Sequence, residues 1–108
     1  MHHKLTLPLL LSATILTLPA IPAHASEAII KKARCVACHA VDKKMVGPAY
    51  RDVAAKYRGQ PEALAQLSAK IRNGGSGVWG AIPMMPHPAD KIGDADLEAA
   101  VGWILKLE

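Results

Sequence analysis

Five consecutive residues, Cys35-Val36-Ala37-Cys38-His39, hold both cysteines of the chain and one of its five histidines. The C-x-x-C-H spacing is that of covalent c-type haem attachment. At the end of a helix it lets two thiols reach the two vinyl groups of one haem, while the next side chain turns its imidazole toward the iron. Tethering also retains the cofactor after export. Two other uses of paired thiols fit less well. A thioredoxin-like redox pair lacks its βαβ context, and a zinc site lacks a second pair of ligands.

A proximal histidine leaves the sixth iron position open, and an electron carrier closes it with a soft donor, usually a Met thioether, which raises the potential and denies oxygen a place to bind. Met45 is only six residues from His39 and can hardly cross to the other haem face. Met84 and Met85 stand in Ile82-Pro83-Met84-Met85-Pro86, where the flanking prolines stiffen a loop against the iron. Spacing alone does not choose between the two.

These residues need a scaffold, and the pattern is helical. Ser26 reads as an N-cap, followed by Glu27 to Arg34 with acidic first and basic last turns. Pro48 opens a second helix, Ala49 to about Arg58, with Tyr50, Val53, Ala54 and Tyr57 on one face. Leu64, Leu67, Ser68 and Ile71 define a third, ending at Asn73-Gly74-Gly75. Gly74 to Gly93 reads as a long structured loop. Asp94 is the expected cap of a last helix to about Leu107, with Leu97, Val101, Ile104 and Leu105 buried and Trp103 nearby. No strand stands out, so the fold class is all-α.

The 108 residues make one domain behind a leader. Met1 to Lys4 is weakly positive, Leu5 to Leu18 is apolar, and Ala23-His24-Ala25 is a small-x-small cleavage pattern, so residues 1–25 read as a secretory signal peptide cut before Ser26. The 14 residues of the apolar run include Pro8 and fall short of the roughly 20 that a membrane-spanning helix needs. Losing the leader takes Lys4 with it and leaves residues 26–108, 83 residues with 12 basic and 9 acidic side chains. That mild excess has no Lys/Arg run interleaved with aromatics, which argues against nucleic-acid binding and for acidic protein partners. With no Phe, two Trp and two Tyr, so small a domain has little to bury, and a cofactor is expected to complete its core.

Beyond Cys35 to His39, the segments Met45-Val46-Gly47-Pro48-Ala49-Tyr50, Asn73-Gly74, Gly77-Val78-Trp79-Gly80 and Ile82-Pro83-Met84 resemble the small bacterial class I cytochromes c of the c-551 type. The match covers essentially all of residues 26–108. The resemblance implies the class I cytochrome c fold, about four helices around one haem, with Cys35 and Cys38 attached to it and His39 and Met84 on the iron. Met85 stands where relatives usually carry Pro. The resemblance further implies that the Pro48 carbonyl accepts the Nδ1 proton of His39, that Trp79 donates to a haem propionate, and that Lys70 meets a propionate. His87 stands where an Asn bonding near the Met sulfur is expected, and is read as replacing that contact. A sharper reading has His87 shift the potential through its own titration, which a potential that moves between pH 5 and 8 would mark, or capture the iron if Met84 is lost.

The function expected is that of a periplasmic single-electron carrier, monomeric and not an enzyme. A haem enzyme or gas sensor would need an open distal site with acid-base groups, and only His87 offers one; a disulfide oxidoreductase would need free thiols and no haem. The resemblance implies a quinol-oxidising cytochrome complex or another c-type cytochrome as donor, and a terminal oxidase or haem nitrite reductase as acceptor. Val36, Ala37, Val46, Pro48, Pro83 and Pro86 are candidates for a small apolar docking patch, with Lys32, Lys43, Lys44 and Lys91 as its positive surround.

Overall fold

A computed structural model describes residues 13–19 and 23–108. Of the expected leader, residues 1–12 and 20–22 lie outside the described residues. The elements in chain order are α1 (Ala23–Lys32), a 3-10 turn (Cys35–Ala37), α2 (Tyr50–Tyr57), α3 (Ala63–Asn73), β1 (Gly75–Gly77), β2 (Gly80–Met84) and α4 (Asp94–Leu105).

The last helix organises the rest, packing against α1, α2 and α3. Leu97, Ala100, Val101 and Ile104 recur at i, i+3, i+4 and i+7 and are all buried. One side of this stripe meets Ile30 and Tyr50, and the other meets Ala33 and Ile92. Trp103 meets the Tyr50 ring edge-on, with centroids 6.3 Å apart. Two aromatics thus do much of the filling in a core without Phe.

Several boundaries differ from the sequence reading. The first helix begins at Ala23, so Ser26 lies inside it, 2% exposed, and is not a cap. It stops at Lys32, because Arg34 adopts a left-handed conformation with φ 63° that turns the chain into the cysteines. The cap of α4 is Gly93, not Asp94, whose carboxylate meets an arginine instead. The helix ends at Leu105, where the Lys106 N–H bonds back to the carbonyls of Trp103 and Ile104.

The expected loop from Gly74 contains a two-stranded antiparallel hairpin, pairing Gly75 with Met84 and Gly77 with Gly80 around an irregularity. Its residues are almost all exposed and lack β-branched alternation, so it carried no strand signal. On α3 only Ala63 is buried. Leu67 and Ile71 pack against the Leu97–Val101 side of α4 and are half-buried because they also line a cavity. Among the described residues, no helix is long and apolar enough to cross a membrane.

Candidate functional site: a cavity between a histidine loop and a methionine loop

The first wall is built within a short stretch of chain. The N–H groups of Cys38 and His39 both bond the Cys35 carbonyl, at 3.1 and 3.0 Å, which winds the motif into one tight turn. Cys35 is half-buried, Cys38 is exposed, and both are free thiols. Beyond them Gly47 N–H reaches Cys38 O at 2.9 Å and Tyr50 N–H reaches Ala40 O at 2.9 Å, so the loop folds back on the motif. This brings Pro48 to His39, whose Nδ1–H donates to the Pro48 carbonyl at 2.8 Å. A carbonyl can only accept, so the proton is on Nδ1 and the Nε2 lone pair is free for a metal. The ring also stacks on Tyr50 at 5.3 Å and 19°.

Gly47 is part of this wall for a steric reason. A Cβ there would lie 2.8 Å from Nδ1 and 2.9 Å from Nε2 of His39. Only a residue without a side chain leaves the imidazole its place.

The second wall is the methionine loop. Met84 is half-buried at the end of β2, while Met85 is 70% exposed. Gly74 lets this loop approach α3: its φ is +70° and ψ −166°, and a Cβ would lie 2.6 Å from Met84 O and 2.8 Å from Pro86 N. His87 follows, with its N–H on Ile71 O at 3.0 Å and its Nδ1–H donating to Met85 O at 2.9 Å. Arg72, on the last turn of α3, ties the end of the loop together. Its Nη1 donates to His87 O at 2.9 Å and Ile92 O at 2.7 Å, and its Nη2 to Asp94 Oδ1 at 2.6 Å.

The cavity between the walls is about 540 Å³, within the 300–1,000 Å³ of small-molecule sites. Cys35, Cys38, His39, Met84, Met85 and His87 line it. Leu67, Ile71, Leu97 and Val101 also line it, and an apolar occupant would bury what remains exposed of Leu67 and Ile71 on α3. Met45 is 42% exposed and does not line it. Lys70 does, with its Nζ against Gly75, and so does Trp79, which is 41% exposed and has the Lys56 ammonium 5.6 Å from its ring centroid.

Burial pushes the Cys35 thiol up, countered in part by the neighbouring backbone and the nearby Tyr50 hydroxyl. The Tyr50 phenol is pushed well above its usual range, first by burial and then by the neighbouring Cys35. Among the described residues no three His, Cys, Asp or Glu side chains group as a metal cluster. The donor set fits a macrocycle that brings its own metal: two thiols to tether it, one imidazole with a free Nε2, thioethers, and an apolar cavity.

Sequence reasoning missed Gly47 as a steric requirement and missed Arg72 altogether. Gly47 was visible only as part of a resemblance, and Arg72 gave no signal because its partners lie 15 to 22 residues downstream.

A small, mainly helical domain with a C-x-x-C-H turn opening on such a cavity defines the class I cytochrome c fold. A cytochrome c family model matches residues 23–108. The chain is 51% identical to cytochrome c-551 of Pseudomonas aeruginosa over 79 residues, 73% of each chain. It is 48% identical to cytochrome c-552 of Nitrosomonas europaea, over 80% of this chain and 82% of the relative. The crystal structure of the Nitrosomonas europaea protein superposes with a TM-score of 0.71 over 76% of this chain and 99% of that one. A class 1 cytochrome from Sideroxydans lithotrophicus gives 0.70 at 31% identity, over 82% and 98% of the two chains. The chain belongs to the cytochrome c family, as a small class I member of the c-551 type. It takes one covalently attached haem c and is an electron carrier, not an enzyme.

Proposed function

We propose that the protein is a monomeric periplasmic carrier in which Cys35 and Cys38 tether the haem and His39 and Met84 ligate its iron. The observation that carries this reading is the placement, in one cavity, of an imidazole with its Nδ1 proton pinned and a half-buried methionine. Bound haem supplies one-electron chemistry between ferric and ferrous iron.

The protein's part is to hold and to exclude. Pro48 and Gly47 fix the imidazole plane, so that this donor keeps one orientation in both oxidation states. Gly74 and the prolines around Met84 hold the thioether loop against the cavity. Leu67, Ile71, Leu97 and Val101 keep water from the interior. Trp79 and Lys70 stand at the lining with donors suited to carboxylates such as propionates.

The leader over residues 1–25, cut before Ser26, supports export, and the apolar run is too short to anchor the chain. Val36 and Val46, 49% and 52% exposed, and exposed Lys43 and Lys44 support brief docking of acidic redox partners. A quinol-oxidising complex as donor and a terminal oxidase or haem nitrite reductase as acceptor suit that chemistry.

The test is the optical spectrum of the haem-loaded protein, oxidised and then reduced. The weak sulfur-to-iron charge-transfer band at the red end should be present, vanish in Met84→Ala and persist in Met85→Ala. Haem bound without that band in the parent protein would instead mean a distal site that is open or held by another donor, and would favour an enzyme or sensor.

A further inference from the structure

We propose that His87 is a reserve nitrogen ligand for the haem iron, held in the same hydrogen-bonded form as His39. The proposal rests on the reading of His39 and Met84 given above. Both imidazoles line the one cavity. His39 donates Nδ1–H to the Pro48 carbonyl at 2.8 Å, and His87 donates Nδ1–H to the Met85 carbonyl at 2.9 Å. Each bond puts the proton on Nδ1 and leaves the Nε2 lone pair free, the tautomer in which a histidine ligates a metal through Nε2.

His87 is also held from three directions. Its N–H bonds Ile71 O at 3.0 Å, its carbonyl accepts from Arg72 at 2.9 Å, and its ring is tied to Met85. Little rotamer freedom remains to be lost when Nε2 takes a partner. In the resting protein the half-buried Met84 thioether holds the position. When that thioether is lost, His87 replaces it and keeps the iron closed to small external ligands. The exchange lowers the potential, because imidazole lacks the potential-raising character of a thioether. A damaged carrier thereby becomes a poor electron acceptor and not an oxygen-reactive haem.

The experiment uses the haem-loaded protein carrying Met84→Ala and Met85→Ala together, with His87 present or changed to Ala. With His87, the ferric double-Met variant should be low-spin by optical and paramagnetic resonance spectra. Without it, the iron should be high-spin, and added imidazole should bind at least about tenfold more tightly, since no internal donor competes. His87→Asn, which keeps a polar side chain in the loop, makes the same comparison if the Ala variant does not fold. Equal high-spin spectra and equal imidazole affinity with and without His87 overturn the proposal. Equal low-spin spectra also overturn it, because another donor then fills the site. Met84→Ala alone distinguishes the two readings: a persisting sulfur band assigns the resting ligand to Met85 and refutes the Met84 assignment, while the double-Met comparison still decides the role of His87.

Discussion

The two walls of the cavity are held by different kinds of bond. The histidine loop closes on itself, with His39 bonded to Cys35, Gly47 to Cys38, Tyr50 to Ala40 and Arg51 to Val41, all through the main chain and within about a dozen residues. The methionine loop depends on residues of α3: Ile71 holds the His87 N–H, and the Arg72 guanidinium holds His87, Ile92 and Asp94. A wall closed by short loops costs less entropy and can form before the helices assemble. One that needs α3 docked beside α4 forms later and opens at lower free energy. In a carrier with a histidine and a methionine ligand, the thioether side is therefore the side that gives way first.

Each wall contains one glycine whose absent Cβ makes room, and the pair breaks the comparison most directly. Gly74→Ala should have the largest effect, because φ +70° with ψ −166° is a conformation open essentially to glycine and a Cβ would also strike the Met84 carbonyl. A loss of about 4 kcal/mol in denaturant unfolding of the haem-loaded protein is expected, from about 2 of backbone strain and about 2 of overpacking. The sulfur band should go with it. Gly47→Ala has no backbone penalty and should cost about 3 kcal/mol, the upper part of the overpacking range, because Pro48 keeps the His39 ring from retreating. Its mark is a changed proximal ligand field, seen in the paramagnetically shifted resonances of His39. If Gly47→Ala proves the more damaging, the histidine wall is the more fragile and the comparison is reversed.

The same difference explains what could be read from the sequence. Much of the stretch from Cys35 to Tyr50 is local, so the C-x-x-C-H motif and Pro48 announced the turn and the helix start, while the steric role of Gly47 did not show. The α4 stripe was equally plain, since Leu97, Val101 and Ile104 follow helical spacing. The β1–β2 hairpin was not, because glycines and exposed residues make its strands through backbone pairing alone. Ser26 misled for a similar reason: a hydroxyl residue ahead of an apolar run reads as a cap, but the helix here extends back to Ala23 and buries it. Asp94 was drawn away from capping by Arg72, a partner 22 residues back that no local pattern reveals.

Two arginines sharpen the comparison at smaller magnitude. Arg72 is 23% exposed at its side chain and donates to two carbonyls as well as to Asp94, so Arg72→Leu leaves those carbonyls unpaired and should cost about 2 kcal/mol. Arg51 pairs with Asp42 at 2.9 Å with both side chains more than half exposed, and Arg51→Leu should cost under about 0.5 kcal/mol. Added imidazole should displace the thioether more readily in Arg72→Leu than in the parent, and equally in Arg51→Leu. Equal displacement in all three would show that the clamp stabilises the fold without steadying the methionine loop.

The last comparison is at Tyr50, where the histidine wall leaves a buried hydroxyl unpaired and the expected change is a gain. Its hydroxyl is buried beside Cys35 and finds no hydrogen-bond partner among the described residues. Deleting it should not destabilise the haem-loaded protein near neutral pH, and Tyr50→Phe should gain up to about 1 kcal/mol. The pH dependence gives a second readout. Above the ordinary phenol value of about 10 the unfolded chain releases the Tyr50 proton while the folded protein keeps it, because burial raises the folded value. The folded state then binds more protons than the unfolded one, so this residue's contribution is intact below about pH 10 and stability falls as pH rises beyond it. Denaturant unfolding at about pH 8 and about pH 11 should therefore show a steeper decline in the parent than in Tyr50→Phe. A loss of more than about 1 kcal/mol in Tyr50→Phe near neutral pH would mean that the hydroxyl gains a partner once haem is bound, making Tyr50 part of the cofactor's polar surround.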